Sequence, residues 1–238
     1  MKCVILAAGE GVRMRPLTNK EPKPMLKVGG RPILEHILES LPGQIDRVIL
    51  VVGYLHQKIH DHFGHHFRSL RLDYVFQEGK LGTYHALKLC ESLLADDEKF
   101  LLLYADDLHG KEGLKKCSDS SGLCLLVSES EEPKKFGVIE VHPDESIKSI
   151  EEKPEEPKTN LVSTGVYLLN KNIFKYPARI HSNGEYYLTD SIFQMLEAGH
   201  KVNTVRSDFW IPIGYPEDLE RAAAFMASLA KDKGGKKN

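Results

Sequence analysis

A glycine-rich loop directly after the first apolar segment constrains the fold more than any other feature of this chain. Residues 3–7 form a short apolar run, which leads into Leu6-Ala7-Ala8-Gly9-Glu10-Gly11-Val12-Arg13-Met14 and then Pro22-Lys23-Pro24-Met25. Glycines after a buried strand let the backbone approach a polyphosphate, while Arg13 and Lys23 add the positive charge that amides lack. The loop therefore predicts a triphosphate-binding site at the end of a strand.

Two better-known phosphate-binding loops do not fit this stretch. A dinucleotide-binding turn needs a third glycine where this chain has Met14, and a Walker loop needs glycine, lysine and a hydroxyl residue in succession. An ordinary turn with surface arginines is the remaining alternative. The length of the motif argues against that alternative.

The first half of the chain alternates apolar, strand-like runs with helical patterns. The predicted strands are residues 3–7, 47–52, 72–76 and 100–103, and the predicted helices are residues 32–41 and 81–94. Strands that alternate with helices favour right-handed crossovers and a largely parallel sheet covered on both faces. We therefore expect an α/β fold.

The second half changes to closely spaced strands, at residues 123–128, 137–141, 146–150 and 162–169, followed by helices at 187–198 and 216–230. This pattern indicates an antiparallel or mixed extension beside the first half, with a second ligand in the crevice between them. The expected organisation is a single domain over residues 1–230, with halves 1–121 and 122–230. A polar, flexible tail is expected at residues 231–238.

Composition limits the possible partners. The formal net charge is −2, so the chain has no basic field with which to collect nucleic acid or a membrane surface. Its four cysteines, Cys3, Cys90, Cys117 and Cys124, are scattered and indicate reduced thiols without a zinc or redox motif. The sequence contains neither a signal-like segment nor a membrane span, which favours a soluble, cytoplasmic protein.

The loop at residues 6–25 resembles L-A-A-G-x-G-x-R-x-x-P-L-T followed by P-K-P-[ML], the motif of the sugar-1-phosphate nucleotidylyltransferases. That family includes glucose-1-phosphate uridylyl- and thymidylyltransferases and mannose-1-phosphate guanylyltransferases. The resemblance implies a Rossmann-like nucleotidyltransferase fold of three layers, α/β/α, with a mixed central sheet and a small β extension over the sugar site. It also implies a set of nucleotide-binding residues: Leu6, Ala8, Gly9, Gly11, Arg13, Lys23, Gln77, Gly82 and Thr83. In this reading the segment 77–83 recognises the base, and Gln77 reads its edge.

The carboxylates Asp106 and Asp107 follow the strand predicted at 100–103, at the end of a parallel strand where ligands usually bind. Magnesium prefers such hard oxygen ligands. The resemblance implies that Asp106 coordinates Mg²⁺ and that Arg13, Lys23 and Asp106 form the catalytic group, whereas Asp107 lies where the family varies. A turn or helix cap is the alternative for this acidic pair.

Three later segments, at 136–139, 151–154 and 162–167, resemble those that line the sugar phosphate in the family. The implied contacts are Gly137, Glu152, Lys153, Thr164 and Gly165. Without the resemblance, Glu-Glu-Lys-Pro would be an ordinary solvated charge run. The segment Glu185-Tyr186-Tyr187-Leu188-Thr189-Asp190 resembles a further family motif, and a structural role at the following helix is at least as well supported as a catalytic one.

The pattern breaks at Pro212, where the family has the aspartate that supplies a second ligand to the metal. Proline cannot coordinate magnesium, so either the metal relies more on Asp106, phosphates and water, or another acid replaces that aspartate. If residues 208–212 form a strand, Asp208 points to the same side as residue 212 and is the candidate second ligand. Loss of the carboxylate is also compatible with a non-catalytic, sugar-nucleotide-sensing homologue.

The resemblance implies transfer of a nucleoside monophosphate from a nucleoside triphosphate, with UTP or dTTP favoured, to a sugar 1-phosphate, with glucose 1-phosphate favoured. A cytidylyltransferase for a non-sugar phosphate such as inositol phosphate or phosphocholine is the alternative enzyme. Because the chain ends soon after its last predicted helix, we expect a short form without an appended β-helix acyltransferase domain. The oligomeric state cannot be read from the sequence.

Five histidines crowd residues 56–66, and two pairs have the four-residue spacing of helical metal ligands: His56, His60, His62, His65 and His66. The segment lacks cysteine partners, and Gly64 is a plausible helix stop. A solvated helix face is therefore favoured over a zinc site.

Overall fold

The computed structural model describes residues 1–96 and 98–234. The strands in this part of the chain are β1 (Lys2–Ala7), β2 (Lys27–Val28), β3 (Arg31–Pro32), β4 (Arg47–Val52), β5 (His66–Phe67), β6 (Leu70–Phe76), β7 (Phe100–Tyr104), β8 (Asp107–His109), β9 (Leu123–Glu129), β10 (Gly137–Val141), β11 (Ile147–Glu152), β12 (Leu161–Leu169), β13 (Val202–Arg206) and β14 (Trp210–Pro212). The α-helices are α1 (Ile33–Ser40), α2 (His56–Phe63), α3 (Gly82–Lys88), α4 (Lys111–Ser118), α5 (Leu188–Glu197) and α6 (Pro216–Gly234).

A single large mixed sheet runs through the molecule in the order β11-β10-β12-β7-β1-β4-β6-β5; β9 branches from it by pairing with β12, and β13 pairs with β9. The first half of the chain supplies parallel neighbours, since β1 pairs in parallel with both β4 and β7. The second half joins through β12, which runs antiparallel to β7. The predicted mixed sheet is confirmed, and both halves of the chain contribute to it.

Helices cover both faces of the sheet. Successive residues of β1 point to opposite faces, so that Cys3 and Ile5 join one core while Val4 joins the other. The first core packs against α1, α2, α4 and α6, and the second packs against α3 and α5. This arrangement gives the three layers expected from the alternating pattern.

The pairing of β8 with β14 was not predicted from the sequence. These two three-residue strands form a separate antiparallel ladder in which Asp107 lies opposite Pro212. Each strand is too short to show a period of its own, and the two are about a hundred residues apart in the chain. Their pairing brings residues after β7 against the segment that precedes α6.

Several boundaries differ from the predicted ones. The helix expected at 81–94 ends at Lys88 and is followed by a 3₁₀ turn at Glu91–Leu93. The last helix continues to Gly234, so the first four residues of the predicted flexible tail are helical. The rest of that tail, 235–238, lies outside the described residues.

The cysteines are all buried, and two of them are closer than their spacing suggested. The Sγ atoms of Cys117 and Cys124 lie 3.2 Å apart, because α4 turns directly back into β9. Within the described ranges, no helix combines the length and apolarity needed to cross a bilayer.

Candidate active site

The loop after β1 folds tightly against the lysine that follows it. Gly11 has a φ of 61°, and a Cβ at that position would lie 3.0 Å from both Lys23 Cβ and Thr18 Cγ2. The Thr18 hydroxyl donates to the Gly11 carbonyl over 2.8 Å. A side chain at residue 11 would therefore be strained by its backbone and crowded by its neighbours, which explains the glycine.

A cavity beside this loop gathers the predicted nucleotide-binding residues. Its lining includes all nine of them: Leu6, Ala8, Gly9, Gly11, Arg13, Lys23, Gln77, Gly82 and Thr83. They come from β1, the glycine loop, the end of β6 and the start of α3, at the carboxyl edge of the parallel strands. The structure thus brings together residues that are spread over about eighty positions of the sequence.

A second cavity adjoins the first and gathers the predicted sugar-phosphate residues, namely Gly137, Glu152, Lys153, Thr164 and Gly165. Both cavities are lined by the same five residues at their junction: Arg13, Lys23, Tyr104, Asp106 and Gly214. The three predicted catalytic residues are therefore all at the boundary between the two spaces. Two ligands bound side by side would meet there.

Lys23 and Asp106 form an ion pair at this junction, with 2.8 Å between Lys23 Nζ and Asp106 Oδ2. Burial acts to raise the pKa of Asp106, but the charge and hydrogen bond of Lys23, helped by Arg13, lower it below the usual value. Lys23 is itself buried. The junction thus holds an ionised carboxylate beside fixed positive charge.

Asp107, which sequence reasoning set aside, is also at the wall of the second cavity. Its carboxylate accepts hydrogen bonds from Trp210 Nε1 at 2.9 Å and from the Ile213 N–H at 3.3 Å. Burial, reinforced by the neighbouring Asp106 carboxylate, raises the pKa of Asp107 to about 7. The β8–β14 register places Asp107 opposite Pro212, a pairing that no local sequence pattern indicates.

The structure places Asp208 away from both cavities. Its Oδ1 accepts the Gly113 N–H over 2.8 Å, in the first turn of α4. The argument that Asp208 and Pro212 share a strand face is wrong, because β14 begins at Trp210 and leaves Asp208 outside the strand. Asp208 caps a helix, which satisfies one of the N–H groups that a helix leaves unpaired at its start.

At the second cavity, Glu152 is held by a hydrogen bond and an ion pair with neighbouring residues. Glu152 ends β11 opposite Gly137 of β10, and its Oε2 accepts the Thr189 hydroxyl over 3.2 Å. Its other oxygen, Oε1, lies 3.1 Å from Lys153 Nζ. Thr189 is therefore an unpredicted neighbour of the site that orients a residue predicted to bind the sugar.

The wall formed by Thr164 and Gly165 is rigid. The Thr164 hydroxyl donates to the Leu126 carbonyl over 3.0 Å, which uses that hydroxyl within the protein. Gly165 has a φ of 80°, and a Cβ there would lie 2.7 Å from the Tyr104 ring. Glycine at this position lets the β12 backbone pass close to the aromatic ring at the junction of the two cavities.

The segment 185–190 has a structural role. The Tyr186 backbone bridges the start of α3, because its N–H donates to the Leu81 carbonyl at 3.0 Å and its carbonyl accepts the Tyr84 N–H at 2.9 Å. The Thr83 hydroxyl accepts the Leu188 N–H over 3.0 Å, at the start of α5. These bonds tie the start of α3, at the first cavity, to the segment that leads into α5.

The histidine-rich segment forms an aromatic cluster of edge-to-face and tilted rings with Tyr74 of β6. The His60 ring lies 5.2 Å from His65 and 5.0 Å from Tyr74, measured between ring centroids. Among the residues that the structure describes, no three His, Cys, Asp or Glu side chains are grouped so that they could hold a metal ion.

Comparisons with known proteins agree in placing the chain among nucleotidyl transferases. The sequence profile described as nucleotidyl transferase matches residues 2–228. The UTP–glucose-1-phosphate uridylyltransferase AglF of Haloferax volcanii is 34% identical over 232 residues, covering 93% of this chain and 95% of that protein. The bifunctional protein GlmU of Methanococcus maripaludis strain C5 is 32% identical over 241 residues, covering 99% of this chain but 57% of that protein. The chain thus spans little more than half the length of this bifunctional relative.

Solved structures share the same fold. A Bacillus anthracis structure assigned as a glucose-1-phosphate thymidylyltransferase, in complex with sucrose, superposes with a TM-score of 0.83 at 27% identity and covers 94% of each chain. A UDP-glucose pyrophosphorylase complexed with UDP-glucose has a TM-score of 0.84 at 24% identity, covering 95% of this chain and 98% of that one. The three-layer fold with its mixed sheet is therefore shared with both.

Proposed function

The chain belongs to the nucleotidyl transferase family, and from that membership we propose that it joins a nucleoside triphosphate to a sugar 1-phosphate, releasing pyrophosphate. The observation that carries the proposal is the shared wall of the two cavities, where Arg13, Lys23 and Asp106 line both spaces. A nucleotide in one cavity and a sugar phosphate in the other would meet at these residues.

The reaction would be an in-line attack by a phosphate oxygen of the sugar 1-phosphate on the α-phosphorus of the nucleoside triphosphate. A phosphate monoester is already anionic, so no protein nucleophile is needed. The task of the protein is to align two polyanions and to stabilise the charge that moves to the leaving pyrophosphate. Arg13 and Lys23 would serve that task, and Lys153, which lines the second cavity, would hold the acceptor phosphate.

The donors at the junction fit a divalent cation. Asp106 is an ionised carboxylate, and Asp107 places a second carboxyl group on the wall of the same cavity. Two hard oxygen donors suit Mg²⁺, which is bound through one or two carboxylates with substrate phosphates and water completing its shell. When bound, Mg²⁺ would neutralise charge on the phosphates. Asp106 would hold the ion, and Asp107 would take the place of the absent acid at position 212.

UTP or dTTP and glucose 1-phosphate are the proposed substrates. The support is the similarity to a UTP–glucose-1-phosphate uridylyltransferase over nearly the full length of both chains. A non-catalytic, sugar-nucleotide-binding role has one observation in its favour, which is Pro212. The carboxyl group of Asp107 opposite Pro212 weakens that alternative.

The test is pyrophosphate release from each of four nucleoside triphosphates with a panel of sugar 1-phosphates, in Mg²⁺. We expect the highest kcat/KM for UTP or dTTP with glucose 1-phosphate. Activity confined to CTP with inositol phosphate or phosphocholine would replace the sugar assignment. Absence of release from every pair, together with retained binding of a nucleotide sugar, would identify a sensor.

A further inference from the structure

The side-chain amide of Gln77, at the wall of the nucleotide cavity, is fixed by two hydrogen bonds. Its Nε2 donates to the Gly82 carbonyl at 3.2 Å and lies 3.1 Å from His85 Nδ1. An amide nitrogen carries two hydrogens, so both donors are used within the protein. Gln77 is 7% exposed, and what it can offer a ligand is the oxygen, Oε1.

The Gly82 carbonyl decides which way the amide faces. A flipped amide would place Oε1 against the Gly82 carbonyl oxygen, with two acceptors in contact. In the observed orientation Gln77 Nε2 can only donate, so Nδ1 of His85 is the acceptor of its second hydrogen. The Gly82 carbonyl thus sets the orientation of the amide, and His85 takes up the hydrogen that remains.

The Gly82 anchor cannot move easily. Gly82 has a φ of 86°, and a Cβ there would lie 2.5 Å from the Tyr186 carbonyl oxygen. The backbone bonds from Tyr186 to Leu81 and Tyr84 hold it on either side. The acceptor from His85, in contrast, is carried by a side chain and can be removed by substitution without disturbing this bridge.

We propose that His85 is a positioning residue for base selection: together with the Gly82 carbonyl it takes up both hydrogens of the Gln77 amide, so that Gln77 offers the nucleotide cavity an acceptor only, which selects a pyrimidine that carries a ring N–H. Uracil and thymine have a hydrogen on N3, whereas cytosine has a lone pair there. Uracil or thymine would donate to Gln77 Oε1, and cytosine would face it with a second acceptor. The inference rests on the proposed function for the identity of the ligand as a nucleotide.

The size of the effect follows from the cost of leaving polar groups unpaired. A site built to bond one hydrogen rejects the analogue that lacks it, and a single such bond is worth about tenfold to a hundredfold in selectivity. Once His85 is replaced by an apolar residue, one hydrogen of Gln77 Nε2 becomes available. The amide can then donate to a base as well as accept from it, and cytosine is tolerated better.

The experiment measures the dissociation constants of UDP and CDP by calorimetry, without sugar phosphate, for the wild type and three variants. His85→Phe removes the acceptor, while His85→Gln can restore it through its own side-chain oxygen. His62→Phe is the matched control, since His62 is an exposed histidine on α2 outside both cavities. Should His85→Phe fail to fold by circular dichroism, His85→Leu replaces it.

We expect the wild type to prefer UDP, His85→Phe to reduce the UDP/CDP affinity ratio about tenfold, and both His85→Gln and His62→Phe to keep the wild-type ratio. An unchanged ratio in His85→Phe would overturn the inference, as would equal losses in His85→Phe and His85→Gln. Equal wild-type affinity for UDP and CDP would also overturn it.

These binding measurements separate the inference from the proposed function, because they require no turnover. If the wild type releases no pyrophosphate from any pair yet the affinity ratios change as expected, the proposed function fails and the base-selection role of His85 stands. If the wild type is active and the ratios do not change, only the role of His85 fails.

Discussion

Pro212 of β14 lies directly opposite Asp107 of β8 in an antiparallel register. Residues paired in this way project to the same face of a sheet, with Cβ atoms about 5 Å apart. A carboxyl group at 107 can therefore reach much of the space that a carboxyl group at 212 would occupy. The pairing offers a physical reason why a chain with proline at 212 could still bind a divalent ion.

Moving the carboxyl group from position 107 to position 212 tests whether Asp107 takes the place of the absent aspartate in binding the ion. Asp107→Asn should weaken Mn²⁺ binding at least about tenfold, because it removes one of two carboxylates. Asp107→Asn combined with Pro212→Asp should recover much of the lost affinity. Electron paramagnetic resonance of free Mn²⁺ in the presence of UDP-glucose measures both without turnover. Unchanged affinity in the single variant would show that Asp107 does not bind the ion.

Asp208 provides the matching control for that experiment. Asp208→Ala removes the acceptor for the Gly113 N–H in α4 and should lower the free energy of unfolding by about 1 kcal/mol, the usual value of a helix cap. Mn²⁺ affinity and pyrophosphate release should remain close to wild type. A loss of metal binding with unchanged stability, measured by urea denaturation, would restore Asp208 as the second ligand.

The Lys23–Asp106 pair at the junction of the cavities should be essential for turnover. Lys23→Ala or Asp106→Ala is expected to lower kcat by about a hundredfold or more, since Lys23 would offset the charge of the reacting phosphates and Asp106 would hold the divalent ion. Asp106 is 40% exposed at its side chain, so water can solvate it after Lys23 is removed. Near-normal kcat in both variants, with circular dichroism unchanged, would contradict the proposed site.

The parts of this site that sequence could predict are those encoded by local pattern. The loop from Gly9 to Lys23 was identified because glycine spacing and charge are visible along the chain, and the predicted bounds of β4 and β10 match the structure. The role proposed for Asp107 could not be predicted in the same way. It depends on a register between strands of three residues each, which have too few positions to show a period.

Asp208, in contrast, was predicted as a metal ligand from an assumption about the strand that is wrong. Strand alternation is a sound rule, but it applies only inside a strand, and β14 begins two residues too late for it to include Asp208. The contact of Thr189 with Glu152 was missed for a related reason, since a hydrogen bond between a helix and a distant strand has no signature in either segment.

Thr189 should influence the sugar-side cavity through Glu152. Thr189→Val removes the hydroxyl that donates to Glu152 Oε2 at 3.2 Å, and leaves that carboxylate less well oriented. We expect KM for the sugar 1-phosphate to rise about fivefold, the value of one hydrogen bond of about 1 kcal/mol, with KM for the nucleotide unchanged. Thr189→Ser keeps the hydroxyl and should restore the wild-type KM. Equal KM values in Thr189→Val and the wild type would exclude this role.

Buried His109 should make the fold sensitive to mild acid. Burial lowers the pKa of His109 to about 4, although the Thr164 carbonyl, which accepts its Nε2–H at 2.9 Å, and the nearby Asp106 and Asp208 act to raise it. An exposed histidine titrates near pH 6.5, so between these values the unfolded chain binds the proton more readily than the folded one. Stability is therefore lost as the pH falls through 6.5 towards 4.

Between pH 7 and pH 5, the titration of His109 alone should lower the free energy of unfolding by about 2 kcal/mol. His109→Gln cannot titrate, so its stability should decline by about that much less over the same interval, even though its stability at pH 7 is lower. Urea denaturation of both proteins at pH 7, 6 and 5 gives the two slopes, and carboxyl groups that titrate in the same range contribute equally to each. Parallel declines in the two proteins would mean that His109 does not resist protonation in the folded state.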